Sequence, residues 1–320
     1  MQSGGNSISI LISAFNCEKY IGDTLKSLIQ QTYGNFEILV ADDGSDDRTK
    51  VLIDSFSDPR IKTFHNHKNL GKTRTINKLL TFASGTWITI HDADDISVRT
   101  RLEKQINYLQ ANPSVMMCGT NYDWVTERGD LVGTMAMPET WDDIKKRLPT
   151  GNAFHLCSAL IRRDAIDELG EFLRPFFRDH NEDIDLAYRI AERFESYNIQ
   201  EALYVYRANP SSLTNRLNIH RSAVAFNIVR ALAEQRRKSG KDDLQLGHVE
   251  RVKELEAQLM HGVDRFEVLE KQIARLNYLR LYSNAIKTSL FLIRSFPSRI
   301  RSYRVFFYTL RKFSLSFFES

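Results

Sequence analysis

Along the first two-thirds of the chain, short apolar runs alternate with segments whose apolar residues recur at helical spacing. Residues 8–12 are such a run, followed by a polar turn over 13–16. A helical pattern then covers 20–31, with Ile21, Leu25, Leu28 and Ile29 on one face. Residues 36–41 predict a second strand, 48–56 a helix, 61–64 a short third strand, and 72–83 a helix after the loop 65–71. Residues 87–90 are β-branched and apolar, suited to a strand covered on both faces, and run straight into His91-Asp92-Ala93-Asp94-Asp95. Strands alternating with helices predict βαβ units and a mostly parallel sheet, an α/β fold. Ligands of such sheets bind beyond the carboxyl ends of the strands. Three polar strand ends converge there: 13–16, 42–47 and 92–95.

Further along, the pattern predicts a helix from 97 to about 109, a strand at 115–118, and a hairpin over 122–132 turning at Arg128-Gly129-Asp130. It continues with an apolar segment at 159–161, a helix from 182 to about 194, a strand at 201–207 and a loop at 208–214. Beyond 215 the pattern turns helical, over 223–237 and 249–282. In the second of these, Leu255, Leu259, Phe266, Leu269, Ile273 and Leu276 stand at near-heptad spacing. That stripe fits an antiparallel hairpin or a contact with a second copy in a homo-oligomer. Residues 290–318 mix Phe, Tyr, Leu and Ile with Arg294, Arg299, Arg301, Arg304, Arg311 and Lys312. This suits an interfacial helix on an anionic membrane, or a helix packing its aromatic face on the protein itself. The organisation expected is two domains, 1–215 and 216–320, with a frayed Gly/Ser/Asn-rich start at 1–7.

Composition narrows the function classes. The chain has 320 residues, 42% apolar and 26% charged, which is ordinary for a globular protein with ample core. The net charge of +4 is uneven: residues 271–320 hold ten Lys/Arg and one acid, leaving 1–270 at −5. The basic character therefore belongs to the tail. No helix-turn-helix, RNP-like or zinc-finger pattern is present, so no nucleic-acid partner is expected. Cys17, Cys118 and Cys157 are too few and too scattered for a disulfide framework or a zinc site, and suit a reducing compartment. With no signal-peptide pattern and no apolar run near the ~20 residues of a spanning helix, the expected location is cytoplasmic, peripheral on the inner face of the plasma membrane.

The candidate chemistry lies at the strand ends. Asp92, Asp94 and Asp95 stay ionised together only with positive charge among them, most simply a hard divalent cation. The other reading is a polar turn, with Asp95 as N-cap of the helix from Ser97. Likewise 42–47 could be a turn with a cap at Asp46 or Asp47, and Glu182, Asp183 and Asp185 favour a helix N-terminus.

Taken together, Ser13-Ala14-Phe15-Asn16, Asp42-Asp43-Gly44-Ser45-Asp46-Asp47, Asn69-Leu70-Gly71, Asp92-Ala93-Asp94-Asp95 with Arg101-Leu102-Glu103, Glu182-Asp183-Ile184-Asp185-Leu186 and the Tyr206–Thr214 stretch resemble the motifs of inverting family 2 glycosyltransferases, in that order. The resemblance covers roughly residues 6–215. It implies a GT-A fold (a Rossmann-like, mostly parallel mixed sheet flanked by helices) followed by an α-helical extension. It implies transfer of a sugar from a nucleotide-diphosphate sugar, UDP-sugars favoured, to a glycan or lipid-linked acceptor in surface-polysaccharide synthesis.

Under that resemblance Asp94 holds Mn²⁺ or Mg²⁺, and Asp92 lies beside the ribose or a metal-bound water. Asp43 accepts from a base N–H, in a pocket lined by Ser13, Phe15 and Asn16. Lys72 and Arg74 are candidates for diphosphate or base contact, although a solvated helix face would also explain them. Asp183 is the general base, its pKa raised by Glu182 and Asp185. Glu182 and His155, with Arg162 nearby, stand on the acceptor side, and His91 is structural. Two positions depart from the family pattern: Ser13 replaces its usual Pro, and Asn209 its usual His. The rival readings are a nucleotidyltransferase, which would want a basic Gly-rich loop after the first strand, and a degenerate, membrane-associated partner of another transferase.

Overall fold

In the computed structural model, residues 6–178, 180–210 and 219–316 are described. Residues 1–5 of the expected frayed start, 211–214 of the expected loop and 317–318 of the expected tail helix lie outside them. Asn6 and Ser7 are held: the Tyr33 hydroxyl donates to the Asn6 carbonyl at 2.7 Å, and the Trp87 N–H to that of Ser7 at 3.0 Å.

The chain divides into two compact units, Met1–Asp123 with Thr134–Tyr206, and Trp124–Gly133 with Arg207–Ser320. The first carries the sheet. Strands β1 (Ile8–Ala14), β2 (Phe36–Asp42), β3 (Ile61–His65) and β4 (Trp87–Ile90) alternate with helices α1 (Ile21–Ile29), α2 (Thr49–Asp54) and α3 (Lys72–Leu80). The sheet order begins β3-β2-β1-β4, and these four strands are parallel. β1 is central to them, and its Ile8, Ile10, Leu11, Ile12 and Ala14 are all fully buried, as a strand covered on both faces requires.

The direction then reverses. β8 (Leu160–Arg162) runs antiparallel to β4 and to β6 (Met117–Val125). β7 (Leu131–Met135) pairs with β6 around the Thr126–Asp130 turn, and β5 (Ile96–Ser97) is antiparallel to β9 (Ser196–Arg207). The helix expected from Ser97 begins at Arg101 (α4, Arg101–Ala111), because Ser97 pairs with Tyr204 in β9 and the Val98 N–H donates to the Leu203 carbonyl. Asp95 is thus not its cap.

Two helices, α5 (Trp141–Arg147) and α6 (Arg163–Leu169), have no counterpart in the sequence reading. α5 starts at Thr140, whose hydroxyl accepts from the Asp143 N–H, and α6 stops at Gly170 with φ 71°. α7 (Glu182–Ala191) completes this unit.

The second unit is helical: α8 (Ile219–Ser239), α9 (Val249–His261), α10 (Arg265–Tyr278), α11 (Tyr282–Ser295) and α12 (Ile300–Ser316). The single helix expected over 249–282 is broken at Gly262–Asp264, where the Asp264 carboxylate caps α10 by accepting from the Phe266 N–H at 2.8 Å. Part of the apolar stripe is spent inside the chain: Phe266, Leu269, Ile273 and Leu276 bury against Ala285 and Leu292 of α11, while Leu255 and Leu259 of α9 are half-buried. The expected continuous helix over 290–318 is broken too, between Ser295 and Ile300, around Pro297.

Candidate active site

The carboxyl ends of β1, β2 and β4 lie side by side, since the register pairs Ala14 with Asp42 and Leu11 with Ile90. The β1 and β2 ends are laced together. The Asn16 N–H donates to Ser45 Oγ (3.0 Å) and Asn16 Oδ1 accepts from the Asp46 N–H (2.9 Å). Asp47 accepts from the Glu18 and Thr49 N–H groups. Ser13 and Phe15 are half-buried there, and Asn16 is exposed at the edge.

Asp43 is fully buried and organises the next loop. Its Oδ1 accepts from the Asn66 amide, the Leu70 N–H and the Thr75 hydroxyl, and its Oδ2 from the Gly71 N–H, all within 3.0 Å. A carboxylate oxygen has lone pairs for more than one donor, so Oδ2, with the Gly71 N–H on it, keeps acceptor capacity of the kind a base N–H uses. Gly44 has φ 75°, and a Cβ there would stand 2.6 Å from the Lys68 carbonyl carbon, so this turn admits only glycine.

At the β4 end the three aspartates have separate fates. Asp92 bonds Lys72 Nζ at 2.5 Å, with both side chains about three-quarters buried, and the Cys157 thiol lies close enough to help lower its pKa. Burial alone would raise its pKa, but Lys72 overrides it and holds the carboxyl down at about 2. Burial works in turn to lower the Lys72 pKa, and Asp92 and Glu182 hold it well above its ordinary value. Asp95 is buried and accepts from the Tyr204 hydroxyl at 2.8 Å. Asp94 is half-buried, close enough to Cys17 to act on its thiol. Arg74 lies on the exposed face of α3.

The segment facing this edge is held from below. Buried Arg101 donates to Ser97 Oγ and to the Ser158 carbonyl, and the Gln105 amide donates to the Cys118 and Ser158 carbonyls. Those bonds fix the 3-10 turn Leu156–Ser158 and set His155 and Cys157 beside Asp92. His155 stacks on Tyr122 (centroids 4.3 Å) and packs against Tyr204 (4.8 Å), and its buried Nε2 has no hydrogen-bond partner among the described residues. Burial lowers its pKa to about 4, so it is a neutral imidazole. His91 is fully enclosed, with Nδ1 2.8 Å from the Asp92 carbonyl and a pKa brought down to about 3 by burial. Arg162 sits opposite Trp87, at the amino end of β4, away from this edge.

α7 brings in the last group. Asp183 is half-buried at its first turn and accepts from the Ile184 N–H at 2.8 Å. Burial raises its pKa above the ordinary carboxylate value. Lys72 and that N–H pull it down, and Asp92 adds to the rise. The reason differs from the expected repulsion by Glu182 and Asp185. Asp185 is fully buried and neutralised by Arg189 (2.8 Å) and Arg174 (3.4 Å), both of them buried as well. Glu182 is buried beside it in sequence. Tyr204 is not marked by the sequence, and neither the contacts of Cys157 and Arg101 nor this triad were expected, although Asp185 and Arg189 stand at the i,i+4 spacing of a helical ion pair.

Asn209 belongs to the second unit, where it is buried. Among the described residues no three His, Cys, Asp or Glu side chains converge to hold a metal ion. Asp92 is paired with Lys72 and Asp95 with Tyr204; the Asp94 carboxylate, half-buried at the same turn, is a hard oxygen donor of the kind a divalent cation takes.

A parallel half-sheet with acidic strand ends, extended by antiparallel strands, is a GT-A-like fold, here followed by an all-helical extension. Residues 9–170 match the glycosyl transferase family 2. The chain is 30% identical over 219 residues to the putative glycosyltransferase EpsE of Bacillus subtilis, covering 67% of this chain and 77% of that one. It is 35% identical over 146 residues to the Escherichia coli UDP-Glc:alpha-D-GlcNAc-diphosphoundecaprenol beta-1,3-glucosyltransferase WfgD, covering 45% and 57%. Among solved structures, Staphylococcus aureus TarS with UDP-GlcNAc superposes with a TM-score of 0.60 at 16% identity, over 95% of this chain and 89% of that one. A Pyrobaculum calidifontis mannosyltransferase with GDP-Man and Mn²⁺ gives 0.51, also at 16%, over 97% and 85%. The chain belongs to glycosyl transferase family 2 and is a glycosyltransferase.

Proposed function

We propose that the enzyme moves a sugar, with inversion, from a UDP-sugar to a hydroxyl of a glycan or lipid-linked acceptor during surface-polysaccharide synthesis, on the cytoplasmic side of a membrane. The observation that carries this reading is the placement of Asp183, with its raised pKa, beside the Lys72–Asp92 pair at the edge where nucleotides bind α/β sheets. The similarity to a UDP-glucose transferase acting on a diphosphoundecaprenol-linked sugar supports the donor and acceptor classes.

Asp43 Oδ2 and the half-buried Ser13 and Phe15 receive the base, and Asn16 fixes the turn that frames it. Lys72, drawn from Asp92, places positive charge against the diphosphate. Asp183 takes the proton of the acceptor hydroxyl as that oxygen bonds to the anomeric carbon. The bond from that carbon to phosphate oxygen breaks on the opposite face, and the nucleoside diphosphate leaves with the electron pair. Asp94, with Asp92 nearby, would hold Mn²⁺ or Mg²⁺, which supplies Lewis-acid neutralisation of the leaving diphosphate. His155 and Glu182 line the acceptor side.

The test is nucleoside-diphosphate release from UDP-, GDP- and dTDP-sugars with Mn²⁺ or Mg²⁺, alongside thermal shift. Release from UDP-sugars, with a raised melting temperature and a large loss in Asp94→Asn, is expected. No release and no shift with any donor would overturn the reading.

A further inference from the structure

α11 and α12 carry apolar residues on their outer as well as their inner faces. In α12 the fully buried residues are Ser302 and Thr309, with Val305, Phe306, Leu310 and Phe313 half-buried on the same side, and Thr309 Oγ1 accepts from the Asn277 amide at 2.9 Å. Its outward face carries Ile300 (72% exposed), Phe307 (64%), Tyr308 (55%) and Leu315 (45%). α11 buries Thr288 and Ser289 beside Ala285 and Leu292, while exposing Leu290 and Phe291. A helix whose outer face meets water keeps that face polar. At 100° per residue, positions 300, 304, 307, 308, 311 and 315 of α12 share one side, so Arg304 and Arg311 stand among the exposed apolar residues.

Charge says what covers this face. Residues 282–316 contain seven Lys/Arg and no Asp or Glu. Arg299 and Arg301 are paired to Asp264 and Glu270, whereas Lys287, Arg294, Arg304, Arg311 and Lys312 make no ion pair among the described residues. A second copy docking by the same face would set these cations against their own equivalents. Among the described residues no helix is long and apolar enough to cross a membrane. Exposed aromatic and aliphatic side chains interleaved with unpaired arginines match the boundary between acyl chains and acidic headgroups.

We propose that the outward face of α12, continued by Leu290 and Phe291 of α11, lies in the surface of an anionic lipid bilayer, with Ile300, Phe307, Tyr308 and Leu315 among the acyl chains and Arg304 and Arg311 on the headgroups. This stands apart from the donor chemistry and does not rest on it.

The test is sedimentation of the full chain with vesicles of phosphatidylcholine alone and of phosphatidylcholine with phosphatidylglycerol. Binding to the anionic vesicles only, weakening with salt, is expected. Arg304→Gln and Arg311→Gln should each weaken it about fivefold, and Phe307→Ser with Tyr308→Ser about tenfold or more, while Lys50→Gln on exposed α2 changes nothing. In Phe307→Trp, the tryptophan emission should shift to the blue on anionic vesicles and be quenched by brominated lipid. Unchanged melting temperatures show that the variants fold. Absence of binding at low salt, equal binding to neutral vesicles, or a dimer that the Phe307/Tyr308 variant dissociates while vesicles are ignored would each overturn the proposal; the last would assign the face to a second copy.

Discussion

Lys72 touches Asp92 and acts on Glu182 and Asp183, so one ammonium sets the charge state of both sides of the candidate site. Around it the histidines are neutral. His91 and His155 are enclosed against Tyr204, and burial holds their pKa values at about 3 and about 4. Because both lie below the unfolded value near 6.5, the folded chain resists protons that the unfolded chain accepts. The stability they contribute is complete above pH 6.5 and is lost as pH falls toward 4 and then 3. At pH 5 the loss for His91 is on the order of 2 kcal/mol, and His155 acts in the same direction. Denaturant melts at pH 7.5 and 5 should show the drop, and His91→Asn should reduce it; an equal drop in that variant would remove His91 as a cause. Asp43, Asp92 and Asp183 could be singled out from the sequence because each follows a readable strand end or opens a readable helix. Tyr204 could not: its bond to Asp95 joins positions 109 apart, and nothing in a local pattern marks such a pairing.

Among the elements, α7 matters most, because it carries Asp183 and is pinned by charge. Arg189 bonds Asp185 and also donates to the Glu171 and Phe172 carbonyls, which ties the helix to the loop before it. Asp185 neutralises two buried guanidiniums, so removing it strands positive charge. Asp185→Leu should therefore cost about 3–5 kcal/mol in urea unfolding. Asp185→Leu with Arg189→Met should cost less than Asp185→Leu alone, since Arg174 keeps Glu171 at 3.2 Å and the other stranded guanidinium is gone; a larger cost would show that the triad acts otherwise. Elements with a strong period were legible, β1 through α3 nearly residue for residue. The short ones, α5 and α6, escaped because seven residues give too little period to see, although the Thr140–Asp143 cap was there to read. The helix breaks at Gly262–Asp264 and around Pro297 were also legible in retrospect, for a cap signal and a proline stand at them; the long apolar stripe outweighed them.

For the whole molecule, the order of the motifs, through their resemblance to family 2, was enough to indicate the GT-A-like sheet, because each sits where a strand stops or a helix opens. The helical unit was less legible: its composition showed aromatic residues and arginines, but only the folded packing reveals that α12 buries Ser302 and Thr309 and leaves Phe307 outside. We propose Asp183 as the base of this glycosyltransferase. The most direct measurement is the turnover of Asp183→Asn with a UDP-sugar and its acceptor, with donor binding followed by thermal shift in the same preparation. The expected result is a fall in kcat of about 10²–10⁴-fold with the donor-induced shift retained. Turnover at the wild-type rate, with the same shift, would contradict it.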